Sequence, residues 1–224
     1  MVRQKLADRI LPSYTKGEEI FNMVSHIVGG AAGIVALVLC VIFAALHGNA
    51  YGVVGSSIYG ASMIILYTMS SIYHGLKPEL KAKKVFQIID HCSIFLLIAG
   101  TYTPIALCTL REFDPVTAWI IFGTVWAAAI LGITLNAIDI KSFKIFSAFC
   151  YLLMGWCIVF AYKALPFLVE NGGMWLLALG GISYTIGAVF YYLFKKRRYM
   201  HSIFHLFVLA GSVLHMFYVM FYVV

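Results

Sequence analysis

Charge is what this chain has least of. Only 11% of its 224 residues are Asp, Glu, Lys or Arg, where a soluble domain carries about 25%. That shortfall excludes an ordinary soluble enzyme and leaves no room for a second, soluble domain. The cysteines lack any framework. Cys40, Cys92, Cys108, Cys150 and Cys157 all fall inside apolar segments and none belongs to a CxxC pair, so they read as small buried hydrophobes rather than disulfides. The first residues, MVRQKLADRILPSYTKGEEIFN, lack the apolar core of a signal peptide, so this segment is expected to stay in the mature chain. Within it, Leu6 and Ile10 can face lipid while Arg3, Lys5 and Arg9 face headgroups, which suggests a short interfacial segment. The formal net charge of +7 does not point to nucleic acid, because the basic residues sit in short loops between apolar segments.

What the chain has instead is apolar length: 62% of its residues are hydrophobic. Seven runs reach the length a helix needs to cross the hydrocarbon core. They are Ile20–Leu46, Gly52–Tyr73, Val85–Thr109, Pro115–Ile138, Phe143–Tyr162, Gly173–Phe194 and Met200–Val223. The expected fold is therefore all-α: a seven-transmembrane-helix bundle forming one domain over residues 1–224, with residues 1–19 a cytoplasmic or interfacial lead-in. Asp114-Pro115 reads as an N-cap followed by proline at the first helical position. Pro104 should bend the outer part of the third span, because it removes a backbone hydrogen bond. Fourteen of the sixteen basic residues fall on one side of this arrangement, and only Arg111 and Lys163 on the other. The positive-inside rule then puts the N-terminus in the cytoplasm and the C-terminus outside.

Against this apolar background a few polar residues stand out, and ionisable groups inside hydrocarbon are functional candidates by default. His201 and His205 lie roughly 5 and 10 Å inside the basic loop before the last span, and Asp90 roughly 9 Å inside the third, at the helical rise. His74 closes the second span and Ser70 lies one turn deeper. Three helices thus present polar groups at one depth. His201-x3-His205 and Ser70-x3-His74 are i,i+4 pairs, each projecting from one helix face. Two imidazoles one turn apart can share a metal ion. A third, from His74, would complete a three-histidine set with a fourth position open for water, the arrangement of catalytic zinc sites. Asp90 is placed to hold that water and act as general base, and Ser70 to orient a ligand or donate to an oxyanion. Each piece also has a plainer reading. HxxxH beside a basic loop fits two histidines touching headgroups, a lone Asp near a helix start fits the helix dipole, and Ser in a membrane helix often bonds its own backbone. Glu18, Asn22 and His26 form an i,i+4,i+8 stripe entering the first span. They could hydrogen-bond the ligating imidazoles or form an interfacial polar stripe. His215 lies too deep to share the ion and reads as a packed, hydrogen-bonded histidine.

Four segments carry a resemblance: EEIFNMVSHIVGG at Glu18–Gly30, SSIYHG at Ser70–Gly75, DHCSIFLLIAGTYTP at Asp90–Pro104 and MHSIFHLFVLAGSVLH at Met200–His215. Together they resemble the hemolysin III family, bacterial members of the superfamily that includes the adiponectin and progestin receptors. The resemblance runs through almost the whole chain. It implies Zn2+ held at His74, His201 and His205, with Asp90 holding the metal-bound water and Ser70 beside it, in a bacterial cell membrane. The long cytoplasmic N-terminal domain of the eukaryotic receptors is missing, so hormone recognition does not carry over. Relatives in the wider superfamily include ceramidases with similar Ser, His and Asp signatures. The expected function is hydrolysis or sensing of a membrane lipid or lipid-derived molecule. A cytolytic pore and a non-catalytic regulator with a structural zinc are the alternatives from other classes.

Overall fold

The computed structural model describes residues 6, 9–170, 172–194 and 197–224; Arg3 and Lys5 of the expected interfacial segment and Lys195 and Lys196 of the last basic loop lie outside them. The described residues form an all-helical bundle with no strand. Its elements are α1 (Lys16–Leu46), α2 (Ala50–Gly75), α3 (Lys81–Pro104), a helical element Pro115–Gly155, a short α6 (Leu165–Glu170), α7 (Gly173–Phe194) and α8 (Met200–Tyr222). Six helices are long and apolar enough to cross a membrane.

The 41-residue element Pro115–Gly155 is not one rod. Asp139 leaves the helical region, with φ −160° and ψ 98°. On its far side the Asp139 carboxylate accepts from the backbone N–H groups of Lys141 and Ser142 and from the Ser142 hydroxyl. That is an N-cap starting a new helix. The chain then turns back on itself. The Ser147 hydroxyl donates to Asn136 over 2.7 Å, and the Asn136 amide donates to the Tyr151 hydroxyl over 3.3 Å. In a straight helix residues 136 and 147 would lie about 16 Å apart. The element is therefore a helical hairpin, whose arms 115–138 and 140–155 are α4 and α5. The fifth span departs from expectation: its apolar run extends over Phe143–Tyr162, but regular helix ends at Gly155 and passes into a 3-10 turn at Cys157–Phe160.

Local chemistry accounts for the other boundaries. Thr15 and Glu18 form a capping box at the start of α1, each satisfying a backbone N–H that the first turn leaves free. Asp114 accepts from the Thr117 backbone and hydroxyl, with Pro115 at the first position of α4. Beyond Pro104, α3 widens into a π-helical turn, Ile105–Leu110, and ends in the single turn Arg111–Phe113. The irregularity expected at Pro104 thus takes the form of an i→i+5 turn.

Two sets of contacts define the ends of the bundle. At one end meet the start of α1, the end of α2, the start of α3, the α4–α5 turn, the end of α7 and the start of α8, through Glu19–Lys83, His74–His201, Lys144–Tyr191 and Glu18–Tyr199 contacts. The opposite end carries the Asn49–Cys108 and Arg111–Tyr51 contacts and the Asp114–Lys163 ion pair. α3 runs through the middle, buried over most of its length. Tyr59, Met63, Tyr67 and Phe95 fill the centre without exposure. The outward faces stay apolar: Ile27, Val28, Ile34, Ile120, Ile130, Leu131, Leu179 and Leu193 are exposed, a surface suited to lipid rather than water. Arg9, expected at the headgroups, is instead buried near Asp139 of the hairpin turn.

Candidate metal centre

The first-named end of the bundle gathers the histidines. His74 comes from the last turn of α2, and His201 and His205 from the first two turns of α8. Their i,i+4 spacing aims both α8 rings at α2. The Nε2 atoms of His201 and His74 lie 3.3 Å apart, and those of His205 and His201 3.1 Å. Each ring offers one nitrogen within 4.8 Å of the other two, a set that could hold a metal ion. His74 and His205 are buried and His201 is partly so.

What surrounds the three rings is polar or aromatic. The Glu19 carboxylate receives the His74 Nδ1 proton over 2.6 Å and a proton from Lys83 Nζ over 2.7 Å. Since a carboxylate only accepts, His74 must carry a proton on Nδ1, and in the neutral imidazole the Nε2 lone pair then faces the other imidazoles. Tyr14 stacks on His201, with ring centres 5.0 Å apart and 14° between planes, and tilts over His74 at 5.8 Å. Tyr191 lies 5.3 Å from His201. Tyr14 precedes α1. Burial pushes its phenol well above its ordinary value, with Tyr191, Tyr73, Glu19 and Asp90 adding to the effect, so it stays a hydrogen-bond donor.

Asp90 is buried near Tyr14 and Tyr73 but is not one of the mutually close metal-binding set. Ser70 is fully buried and its hydroxyl has no hydrogen-bond partner. His26 stacks on His205, with ring centres 3.6 Å apart, and meets the edge of Tyr67. Neither of its nitrogens is bonded, and the Asn22 side chain beside it is likewise buried and unbonded. The Glu18 carboxylate accepts from the Thr15 backbone and hydroxyl, and over 2.6 Å from the Tyr199 N–H at the start of α8. His215 bonds the Leu177 carbonyl through Nε2 over 3.1 Å, deep in the bundle. Glu19 was not among the residues singled out from the sequence. The one signal for it was a second carboxylate in the first turn of α1, next to Glu18.

These features define a class: a multi-pass helical membrane protein with a buried three-histidine cluster at one end of its bundle. The chain belongs to the haemolysin-III related family, whose profile matches residues 14–216. It is 43% identical to Hemolysin-3 of Bacillus cereus over 206 residues, 92% of each chain. It is 42% identical to a Hemolysin-3 homolog of Bacillus subtilis (strain 168) over 211 residues, 94% of this chain and 97% of that one. A more distant relative is the monocyte to macrophage differentiation factor of Homo sapiens, 28% identical over 165 residues, 70% of this chain and 66% of the relative. Family and fold together make it a multi-pass protein of the bacterial cell membrane.

Proposed function

We propose that the three-histidine cluster is a zinc site serving hydrolysis of a membrane lipid amide or ester, in a seven-span bundle with a cytoplasmic N-terminus and an extracytoplasmic C-terminus. The observation that carries this reading is the convergence of the ring nitrogens. A tetrahedral ion with bonds of about 2.0–2.1 Å to nitrogen sets its ligand atoms about 3.3 Å apart; two of the three nitrogen separations are 3.1 and 3.3 Å, and the third lies within 4.8 Å. The unbonded Ser70 hydroxyl also suits a site built around a ligand. His74, His201 and His205 would hold the zinc. When bound there it would supply Lewis acidity and lower the pKa of a water.

The chain's own groups have the remaining roles. Asp90 would take the proton from the attacking water and return it to the departing amine or alcohol as the acyl C–N or C–O bond breaks. Ser70 donates to the oxygen that gains charge at the acyl carbon, where a positioned donor is worth most in a dry site. Tyr14 and Tyr191 cover the imidazoles and keep bulk water out. The apolar helix faces give the acyl chain a path from the bilayer. Zinc analysis of purified wild type against His205→Ala, with turnover of a panel of ceramides and acyl-amides, tests the reading. The expected result is about one zinc per chain in the wild type, little in the variant, and turnover that His74→Ala abolishes. Zinc-free wild-type protein, or equal turnover by His74→Ala, overturns it.

The relative named Hemolysin-3 makes membrane lysis the second reading. The filled centre of the bundle, with Tyr59, Met63, Tyr67 and Phe95 unexposed, offers no aqueous path through a single chain. Liposome leakage that survives His74→Ala would favour lysis over hydrolysis.

A further inference from the structure

We infer that Glu19, clamped by Lys83, is the positioning residue of the metal site: it fixes the tautomer and orientation of His74 and thereby sets metal affinity. This rests on the metal reading above. The Glu19 carboxylate is divided between two duties. Oε2 takes the Nδ1 proton of His74 over 2.6 Å, and Oε1 takes a proton of Lys83 over 2.7 Å. A ligating imidazole that donates its other N–H to a carboxylate is held in one ring orientation and becomes a stronger donor to the metal. His74 is the one of the three whose Nδ1 meets a carboxylate. His201 and His205 come from one helix, with 4.5 Å between ring centres, whereas His74 is the only one of the three on α2.

Lys83 explains how a carboxylate can be kept there. It is only 1% exposed, and a buried ammonium needs partners for its protons. Besides Glu19 it donates to the Leu76 carbonyl over 2.9 Å and lies 3.5 Å from the His74 carbonyl. Both belong to the end of α2, where the last carbonyls lack helical partners. Lys83 thus fastens the end of α2 to α3 and holds the Glu19 carboxylate in place. Its charge also opposes a dication nearby, so its role is to position Glu19, not to attract metal.

Adjacent Glu18 points about 100° away around the helix and bonds Tyr199, two residues before His201. The first turn of α1 therefore grips both histidine-bearing helices, α8 through Glu18 and α2 through Glu19. Only the Glu19 contact reaches an imidazole.

The two residues predict unequal effects on metal binding and on stability. Zinc affinity is measured by competition with a chelator, alongside thermal stability, for wild type, Glu19→Gln and Lys83→Met. Glu19→Gln keeps the shape but not the carboxylate, and should lower zinc affinity about 10- to 100-fold, the usual cost of losing such a partner. Lys83→Met keeps the Glu19–His74 bond and removes a repelling charge but loses the clamp on Glu19, and should lower zinc affinity far less than Glu19→Gln while lowering thermal stability more. A purely structural role for the pair would lower affinity by the same factor in both variants. That result, or Glu19→Gln matching the wild type, overturns the inference while leaving the metal reading standing. Absence of zinc binding by the wild type overturns both.

Discussion

At the residue scale, the cluster is three histidines from two helices, with the Glu19 carboxylate bonded to His74. His201 and His205 could be paired from an i,i+4 spacing, and His74 joined to them by its depth beside a basic loop. The structure brings the three together as that spacing suggests. Glu19 escaped because Glu18 and Glu19 are equivalent in sequence, and which carboxylate meets an imidazole depends on where α2 and α8 pack. The stacking of His26 on His205 was hidden for the same reason. Glycine contacts are another feature that only packing reveals. A Cβ on Gly55 would meet the Pro104 Cα at 2.7 Å and its ring nitrogen at 3.1 Å. Backbone at a proline cannot step aside as a side chain can. Gly123, on an outward face of α4, has nothing within 4 Å. Gly55→Ala should therefore destabilise by about 1–3 kcal/mol through overpacking. Gly123→Ala should be neutral or gain up to about 1 kcal/mol from helix propensity. Unfolding in detergent or bicelles checks the pair, and equal effects would show that close packing at Pro104 does not constrain Gly55.

At the element scale, most helices were readable from apolar length, and the failures share a cause. Local sequence marks where a helix starts, as Thr15, Asp114 and Asp139 do, better than where a membrane helix stops. The apolar run through Tyr162 continues past the end of α5 at Gly155, and composition alone cannot distinguish helix from the 3-10 turn that follows. The hairpin at Asp139 is held by Asn136, Ser147 and Tyr151, contacts that no spacing rule predicts. The opposite end has a fastening of its own. Asp114 caps α4 and meets Lys163 over 2.8 Å, tying the start of α4 to the loop before α6. Lys163 and the Thr117 bonds pull the Asp114 carboxyl from 3.8 down to about 2. Because the folded value is the depressed one, this contribution to stability is present above pH 3.8 and lost as pH falls through about 2. Asp114→Asn keeps a competent cap and removes only the charge. The melting temperature of Asp114→Asn should lie below that of wild type by a constant amount above about pH 4, and the gap should close toward pH 2. A gap that persists at pH 2 would mean that the Lys163 pair is not its source.

At the scale of the whole molecule, the question is which way the bundle faces, because that decides which compartment reaches the histidines. The contacts at each end make successive long helices alternate in direction: α1, α3, α5 and α8 run one way, and α2, α4 and α7 the other. Seven passages leave the start of α1 and the end of α8 at opposite ends, with the histidine cluster at the end where α1 starts. The fifth passage is the shortest, since the 16 residues of arm 140–155 make only about 24 Å of helix against a hydrocarbon core of about 30 Å. Cys157–Phe160 must complete it as a 3-10 turn, and burial of Ile158, whose N–H bonds the Tyr102 hydroxyl, lets non-α backbone persist at that depth. Among the described residues, ten of the twelve Lys and Arg fall at or near the histidine end, and positive loops are retained in the cytoplasm. A reporter active only outside the cytoplasm, fused after Val224, should therefore be active, and the same reporter placed before Lys16 silent. If the Val224 fusion were silent because α5 only dips into the bilayer, a fusion in the loop at Lys163 would be silent too, and the chain would cross six times. Activity at both Lys163 and Val224 places the cluster on the cytoplasmic side, where a substrate would have to come from the inner leaflet.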